Sequence, residues 1–372
     1  MAAPAAPAVI RCADLAASLH ANDPTLVHLD LSGVCNLLVL EALAVNSTVQ
    51  TLSIADFTSC QTNDSPPISM DDCAATKLAS ALTTNRSLTQ VDIKAYGVGD
   101  SGVARIAEAL KVNATLRAVG LTVSPLIDHP QGLARVAEAL EVNRSLAQLS
   151  LQFLGPGEIG GVKRLAQALQ INTTLVRLGL AGNGLAEQGG AFELAQAIRS
   201  NTSLNLLSLE SNRLTGTDAW AAIAEALEHN HTLTALNLQD NDLGEEGAVL
   251  LADCLTVNTS LAGLSLYGCG IGNRGLLRLG QVLRRRPPPQ SPDLDTFALH
   301  GVKLSDIGGH LGLPWPEAAE WDNTTILRHV CKLRRERTLA FTMGQHARLG
   351  LRSRAATLND NVLHQIFRHD IG

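Results

Sequence analysis

Gly155-Pro156-Gly157-Glu158-Ile159-Gly160 satisfies G-x-G-x-x-G. Between a strand and a helix, that spacing lets backbone amides approach a dinucleotide pyrophosphate. Two features of the chain oppose this chemistry. Sibling segments carry glycines in the same slot, as Gly182-Asn183-Gly184 and Gly268-Cys269-Gly270. The acid that would bind a ribose hydroxyl about 20 residues on is missing. That segment reads LVRLGL, from Leu175 to Leu180. The glycines are therefore read as turn residues of a repeated element.

Seven cysteines, Cys12, Cys35, Cys60, Cys73, Cys254, Cys269 and Cys331, are irregularly spaced and include no C-x-x-C pair. An odd, scattered set argues against a disulfide framework and for a reducing compartment. No Cys/His cluster has zinc-site spacing. The eleven histidines are scattered, and none has a nucleophile or carboxylate spaced to make a catalytic dyad. G-K-[ST], H-E-x-x-H and G-x-S-x-G do not occur. The expectation is a chain with no catalytic residue, cofactor, metal or small-molecule ligand. N-x-S/T recurs at Asn85, Asn113, Asn143, Asn172, Asn201, Asn230 and Asn258. Such sequons accept glycans in exported proteins. The opening MAAPAAPAVIRC, however, lacks the basic start and unbroken apolar core of a secretory signal. A structural role for these asparagines and a cytoplasmic location are expected instead.

The elements that would position any site come from composition and periodicity. The chain has 372 residues, 45% hydrophobic, 17% charged and 3% aromatic. A large core must then be built from Leu, Ala, Val and Ile, which excludes a disordered chain. No run of about 18 uncharged apolar residues suggests a membrane span. A net charge of −6 argues against a nucleic-acid partner.

Leu88, Leu116, Leu146, Leu175, Leu204, Leu233 and Leu261 lie 28 to 30 residues apart, with weaker anchors at Leu26, Val49 and Leu294. From each anchor the pattern L-x-x-L-x-L-x-x-N-x-L begins. It is complete in Leu175–Leu185, Leu204–Leu214 and Leu233–Leu243. Alternation around L-x-L predicts a short strand with one buried face. The second half of each unit changes period. In Gly102–Asn113, Val103, Ile106, Ala107 and Leu110 fall on one helical face. Each predicted helix ends at an Asn, expected to take a left-handed turn. The following Ser or Thr is expected to hydrogen-bond locally and redirect the chain. One strand and one helix cannot hide their apolar faces alone, so such units stack.

The 28–29 residue unit, with Gly244-Glu245-Glu246-Gly247 and Gly272-Asn273-Arg274-Gly275 in phase, resembles the leucine-rich-repeat family, in its ribonuclease-inhibitor-like subclass. The resemblance spans roughly residues 22 to 313 and implies an α/β solenoid. That solenoid is a curved horseshoe with parallel strands inside and helices outside, and here it has a small helical C-terminal segment. About ten repeats are expected. It further implies a ladder of turn asparagines, Asn183, Asn212 and Asn241. Val34, Phe57, Tyr96, Ser124 and Leu154 occupy that slot in earlier units, which predicts a regular centre and an irregular N-terminal arc. Residues between the strand leucines would face the hollow. Gln148, Gln152, Arg177, Glu210, Asn237, Gln239 and Tyr267 are the candidate partner-binding residues there. The family's trade is protein recognition, so a noncatalytic scaffold with one or more protein partners is implied. Similarity to the Ran GTPase-activating proteins, built on the same subclass, offers an alternative as a small-GTPase regulator.

The ends depart from the repeat. Residues 1–21 read as an N-terminal capping helix, 58–72 as a projecting polar loop, and the Pro-rich 284–293 as a break. Residues 323–372 hold nine Lys/Arg against three Asp/Glu, whereas the rest of the chain holds 20 against 32. Residues 314–372 therefore read as a basic helical cap or a docking module. Leu327-x3-Cys331 faintly resembles an elongin-recruiting box, and Leu358–Phe367 the first helix of an F-box. Either would imply a ubiquitin-ligase adaptor.

Overall fold

The computed structural model describes residues 12–32, 37–55, 70–127, 129–155, 160–186 and 189–285. They fall into two compact units that meet in sequence between Leu204 and Asn205. Residues 1–11, the predicted loop from 58 to 69, the Pro-rich break beyond Arg285 and the basic segment 314–372 lie outside the described residues. So does the repeat-like strand expected at 294–304.

In the first unit strands and helices alternate. The strands are β1 (His28–Asp30), β2 (Thr51–Ala55), β3 (Gln90–Ala95), β4 (Ala118–Val123), β5 (Gln148–Gln152) and β6 (Arg177–Gly179). The helices are α1 (Cys12–His20), α2 (Leu37–Ala42), α3 (Asp72–Thr84), α4 (Asp100–Val112), α5 (Gly132–Val142), α6 (Gly161–Ile171) and α7 (Gly190–Ser200). The second unit holds β7 (Leu206–Ser208), α8 (Thr217–His229), β8 (Ala235–Asn237), α9 (Gly244–Cys254), β9 (Gly263–Ser265) and α10 (Gly272–Arg285). Within each unit consecutive strands pair in parallel and in unbroken register. Each strand connects to the next through a helix, as parallel pairing requires. This is the α/β solenoid that the repeat predicts.

The core is the predicted leucine set. On α4, Val103, Ile106, Ala107 and Leu110 are all buried. Alanines such as Ala107, Ala137 and Ala166 are buried on neighbouring helices, where a small side chain lets helix axes approach. Few rings are needed. Trp220, on α8, is the largest fully buried side chain among the described residues, and its indole N–H donates to the Asp242 carbonyl at 3.0 Å.

The sequon asparagines form a ladder at the helix ends. Asn143 is buried and donates from Nδ2 to the Leu110 carbonyl of the preceding repeat at 2.7 Å. Its Oδ1 accepts from the Ser145 and Leu146 backbone amides, both at 2.8 Å. Asn46, Asn85, Asn113, Asn172, Asn201 and Asn258 donate in the same way to Leu19, Leu43, Leu82, Leu140, Leu169 and Leu227. Ser145 and Ser203 each reach back to the previous repeat's Asn carbonyl. One expectation is corrected. These asparagines are not left-handed: Asn85, Asn113, Asn143, Asn172, Asn201 and Asn230 have φ of −62° to −89° and ψ of 122° to 136°. The extended backbone carries the chain straight into the next strand, and the side chain replaces the turn's hydrogen bonds. A buried amide committed to a neighbouring carbonyl has no room for a glycan in the folded chain.

Helix starts are tied across repeats by carboxylates. Asp71 caps its own helix α3 through the Ala74 amide, at 2.9 Å. Asp72 reaches to α4, accepting from the amides of Gly99 at 2.7 Å and Gly102 at 3.0 Å. Asp100 does the same for Gln131 before α5, and Glu245 for Arg274 on α10. The first turn of a helix has spare N–H groups and a positive dipole end, which suits a carboxylate.

The expected irregular N-terminal arc is not seen in the strands. Four of the repeats without a turn asparagine hold the longest ones, five or six residues in β2, β3, β4 and β5, while β1 has three. The repeats of β6, β7, β8 and β9 stop at three.

Candidate functional site

Each strand buries alternate residues and leaves the others on an open face, as period-two geometry dictates. In the first unit the register aligns Gln90, Ala118, Gln148 and Arg177 in one row. Asp92, Gly120, Ser150 and Gly179 form the next row, and Lys94, Thr122 and Gln152 a third. Of the residues proposed from sequence, Gln148 and Gln152 therefore share β5, and Arg177 pairs beside Gln148 on β6. Gln148 and Arg177 are exposed, and Gln152 is half-buried, accepting from the Thr122 hydroxyl at 3.4 Å.

The second unit brings the other four together. Asn237 on β8 donates from Nδ2 to Glu210 Oε2 at 3.0 Å. Its Oδ1 accepts from the Gln239 backbone amide at 3.0 Å, and Gln239 Nε2 reaches Ser265 Oγ on β9 at 2.6 Å. Glu210, Asn237 and Gln239 thus belong to one chain of hydrogen bonds, and Ser265 joins them. Tyr267 stands at the end of this face, 42% exposed. The asparagine and glutamine amides are already engaged within the face, which makes it a stiff polar platform with one ring available.

The turn asparagines follow the strands of each unit, Asn183 in the first and Asn212 and Asn241 in the second. Asn241 is buried, donates to the Leu209, Leu238 and Gln239 carbonyls and accepts from the Asn212 and Leu214 amides. Asn183 donates to the Leu151 carbonyl and accepts from the Leu154 amide. Asn212, also buried, donates to the Glu210 carbonyl. Cys269 takes the same slot after β9, with its thiol 3.1 Å from the Leu238 carbonyl. Burial, with help from Asp240 and Asp242, pushes that thiol up to about 11 against the opposing hydrogen bond of Asn241. It is a protonated, structural group rather than a nucleophile.

Among the described residues no group of three His, Cys, Asp or Glu is placed to hold a metal ion. No helix among them is long and apolar enough to cross a membrane. What the strand face offers is side chains on a fixed grid.

The repeats of L-x-x-L-x-L on parallel strands, each followed by a helix, decide the class, and a leucine-rich-repeat family model matches residues 229–252. The fold is a leucine-rich-repeat solenoid. No curated protein matches it. Among solved structures, it is similar to the leucine-rich-repeat protein LegL7 from Legionella pneumophila, at 16% identity and a TM-score of 0.42, over 68% of this chain and 77% of that one. It is also similar to the actin-binding site 2 of leiomodin-1, at 20% identity and a TM-score of 0.35, over 45% of this chain and 91% of that one. The tropomodulin C-terminal domain of Caenorhabditis elegans matches at 15% identity and a TM-score of 0.28, over 50% and 89%.

Sequence reasoning missed two exposed large hydrophobic residues of the first unit. Tyr96 is 48% exposed and continues the outward series Gln90, Asp92, Lys94 by one further step. Period two could have found it, but its place in the asparagine slot drew the reading inward. Leu126 is 93% exposed on the loop after β4. No sequence signal marks it, because Ser124-Pro125-Leu126 reads as an ordinary turn.

Proposed function

We propose that this leucine-rich-repeat protein is a noncatalytic interaction scaffold of the ribonuclease-inhibitor-like subclass, working in the cytoplasm. A repeat of 28 to 30 residues with a full α-helix in most units supports the subclass. In this reading residues 1–21 cap the first repeat, about ten repeats span 22–313, and 314–372 close the other end or dock separately. The observation that carries the function is the outward grid of β3, β4, β5 and β6, bordered by Tyr96 and Leu126. Rigid rows of Gln, Lys and Arg beside an exposed ring and aliphatic are what a protein partner needs. Rings and arginines supply most binding energy, and polar neighbours set register. Gln148, Gln152, Arg177 and, in the second unit, Glu210, Asn237, Gln239 and Tyr267 are the contact residues proposed.

The test is a footprint. A partner purified with the full chain from native cells is cross-linked, and protected positions are mapped by hydrogen exchange. Protection along β3 to β6, with binding weakened at least about tenfold by Tyr96→Ala with Lys94→Glu, supports the reading. Protection confined to the outer helices would sink it.

A further inference from the structure

The turn edge of the first unit, where helices end and strands begin, holds a second surface. Helices α4, α5 and α6 pack side by side. Each ends on an aliphatic residue left half in water: Val112 at 60%, Val142 at 55% and Ile171 at 54% exposed. The fold does not require aliphatics there. The same position carries Thr84, Ser200 and His229 in other repeats, with valine recurring at Val45 and Val257.

Arg86, Arg117 and Arg144 are exposed along the same edge. Each is anchored through one guanidinium nitrogen. Arg86 Nη1 donates to the Thr83 and Asn85 carbonyls at 2.9 and 3.0 Å. Arg144 Nη1 donates to the Asn143 carbonyl at 3.0 Å, and Arg117 Nη1 to the Ser145 carbonyl at 3.0 Å. The anchoring fixes the guanidinium planes and leaves further N–H groups for a partner. The turn segments 85–89, 113–117, 143–147 and 172–176 contain no acid. Of the acids on the preceding helical turns, Glu108 is engaged by Lys111, and Glu138 by Lys111, Arg135 and Arg164. Partial burial raises the Glu138 carboxyl, but Lys111 and Arg135 outweigh it and hold it below its ordinary value. Half-buried Glu141 is the one acid on the turns of α4 and α5 beside the stripe that no described base engages.

We propose that this edge docks an acidic amphipathic helix of a partner protein. Its aliphatic residues, seven apart, rest on Val112, Val142 and Ile171, and its carboxylates meet Arg86, Arg117 and Arg144. The spacing follows from geometry. Packed helices lie about 8–10 Å apart, and seven helical residues rise about 10.5 Å. A heptad therefore steps from one repeat to the next. Guanidinium groups held in plane pair well with carboxylates. The chain's own segment 323–372 is basic and carries the wrong sign for this edge.

The test uses the full chain and three synthetic helices of equal length, followed by fluorescence anisotropy. One has leucine every seventh residue with glutamate flanks. The second has the same composition scrambled, and the third has lysine flanks. The glutamate heptad should bind at least about tenfold more tightly than either other. Val142→Glu and Arg144→Glu should each weaken it about tenfold, with melting temperatures within about 2 °C of the parent because both positions are exposed. Lys94→Glu on the strand face should leave it unchanged, so failure of the strand-face reading and failure of this one are separable. Equal binding of the scrambled helix, no binding by any of the three, or indifference to Val142→Glu overturns the proposal. So does a dimer of this chain, seen by sedimentation, that Val142→Glu dissolves.

Discussion

The repeats of β2 to β5 and those of β7 to β9 solve the same problem in different ways. After its two core residues, each strand must turn toward its helix without stranding backbone groups. In β7 to β9 the regular strand ends after three residues. Single backbone bonds run on, from the Ser211 amide to the Gln239 carbonyl and from the Asp240 amide to the Tyr267 carbonyl, and a side chain takes over the rest of the turn. Asn241 bonds five backbone groups around the turn. In β3 and β4 the ladder itself runs on to Ala95 and Val123, which pair directly. The slot can then hold Tyr96 or Ser124. In these repeats a longer strand stands in for the asparagine, whereas β9, with Cys269 in the slot, keeps three residues. The longer strand also frees that position to carry an exposed ring.

The largest expected effect comes from breaking the amide solution. Asn241→Ala strands the Leu209 carbonyl and the Asn212 and Leu214 amides in buried surroundings, while the Leu238 carbonyl keeps the Cys269 thiol. A buried group without its partner costs about 1–3 kcal/mol, so a loss of about 3 kcal/mol is expected in urea unfolding. An unchanged midpoint would mean that water replaces the ladder.

Cys269 sharpens the same comparison, because a thiol stands where an amide would. An ordinary thiol ionises at 9.0, and this one is raised to about 11. Between those values the unfolded chain releases its proton while the folded chain keeps it, so stability falls as pH rises. Below pH 9 the full stability is present. A loss of about 2 kcal/mol is expected between pH 9 and 11. The melting-temperature gap between the parent and Cys269→Ala, followed across that range, should close or reverse. A gap constant with pH would remove the thiol from the slot.

Asp72 tests the helix side of the long-strand repeats. Its carboxylate accepts two amides at the start of α4, and the Gly102 position is so tight that a Cβ would sit 2.6 Å from Asp72 Oδ1 and 2.9 Å from the Ala75 methyl. Asp72→Ala should cost about 1–2 kcal/mol, the usual price of a lost N-cap. Hydrogen exchange should localise the loss to α4. Uniform loss across the first unit would show that the cap is not local.

Much of this architecture is readable from residue spacing, because burial drives it. The anchors Leu88 to Leu261 and the face Val103, Ile106, Ala107, Leu110 follow from periodicity alone, and all are buried. Hydrogen-bond geometry is less legible. The sequon asparagines are visible as a recurring residue, but Asn supports both a left-handed turn and an extended, side-chain-bonded one, and spacing does not distinguish them. The strand face is legible as rows, since period two fixes which side each residue takes. Which rows are already consumed is not. Asn237 and Gln239 look available in sequence, yet contacts with Glu210 and Ser265 on neighbouring repeats occupy them. Leu126 is invisible because a loop tip's exposure depends on where the chain returns.

The smallest effect is the most discriminating for the two ways of turning. Ser124 occupies the asparagine slot after β4, buried, and its Oγ accepts from the Leu126 amide at 3.2 Å. If the longer strand already satisfies the turn, that hydroxyl is one ordinary hydrogen bond and not the keystone that Asn241 is. Ser124→Ala should then cost about 0.5–1 kcal/mol, near the net worth of a single bond, and leave exchange protection of β3 and β4 intact. The reverse substitution is informative too. Ser124→Asn should not stabilise the chain, because the carbonyls that an amide would seek are already paired along the ladder. If Ser124→Ala instead matches Asn241→Ala in a urea titration, the extra strand pairs are not carrying the turn, and the contrast between the two regions collapses.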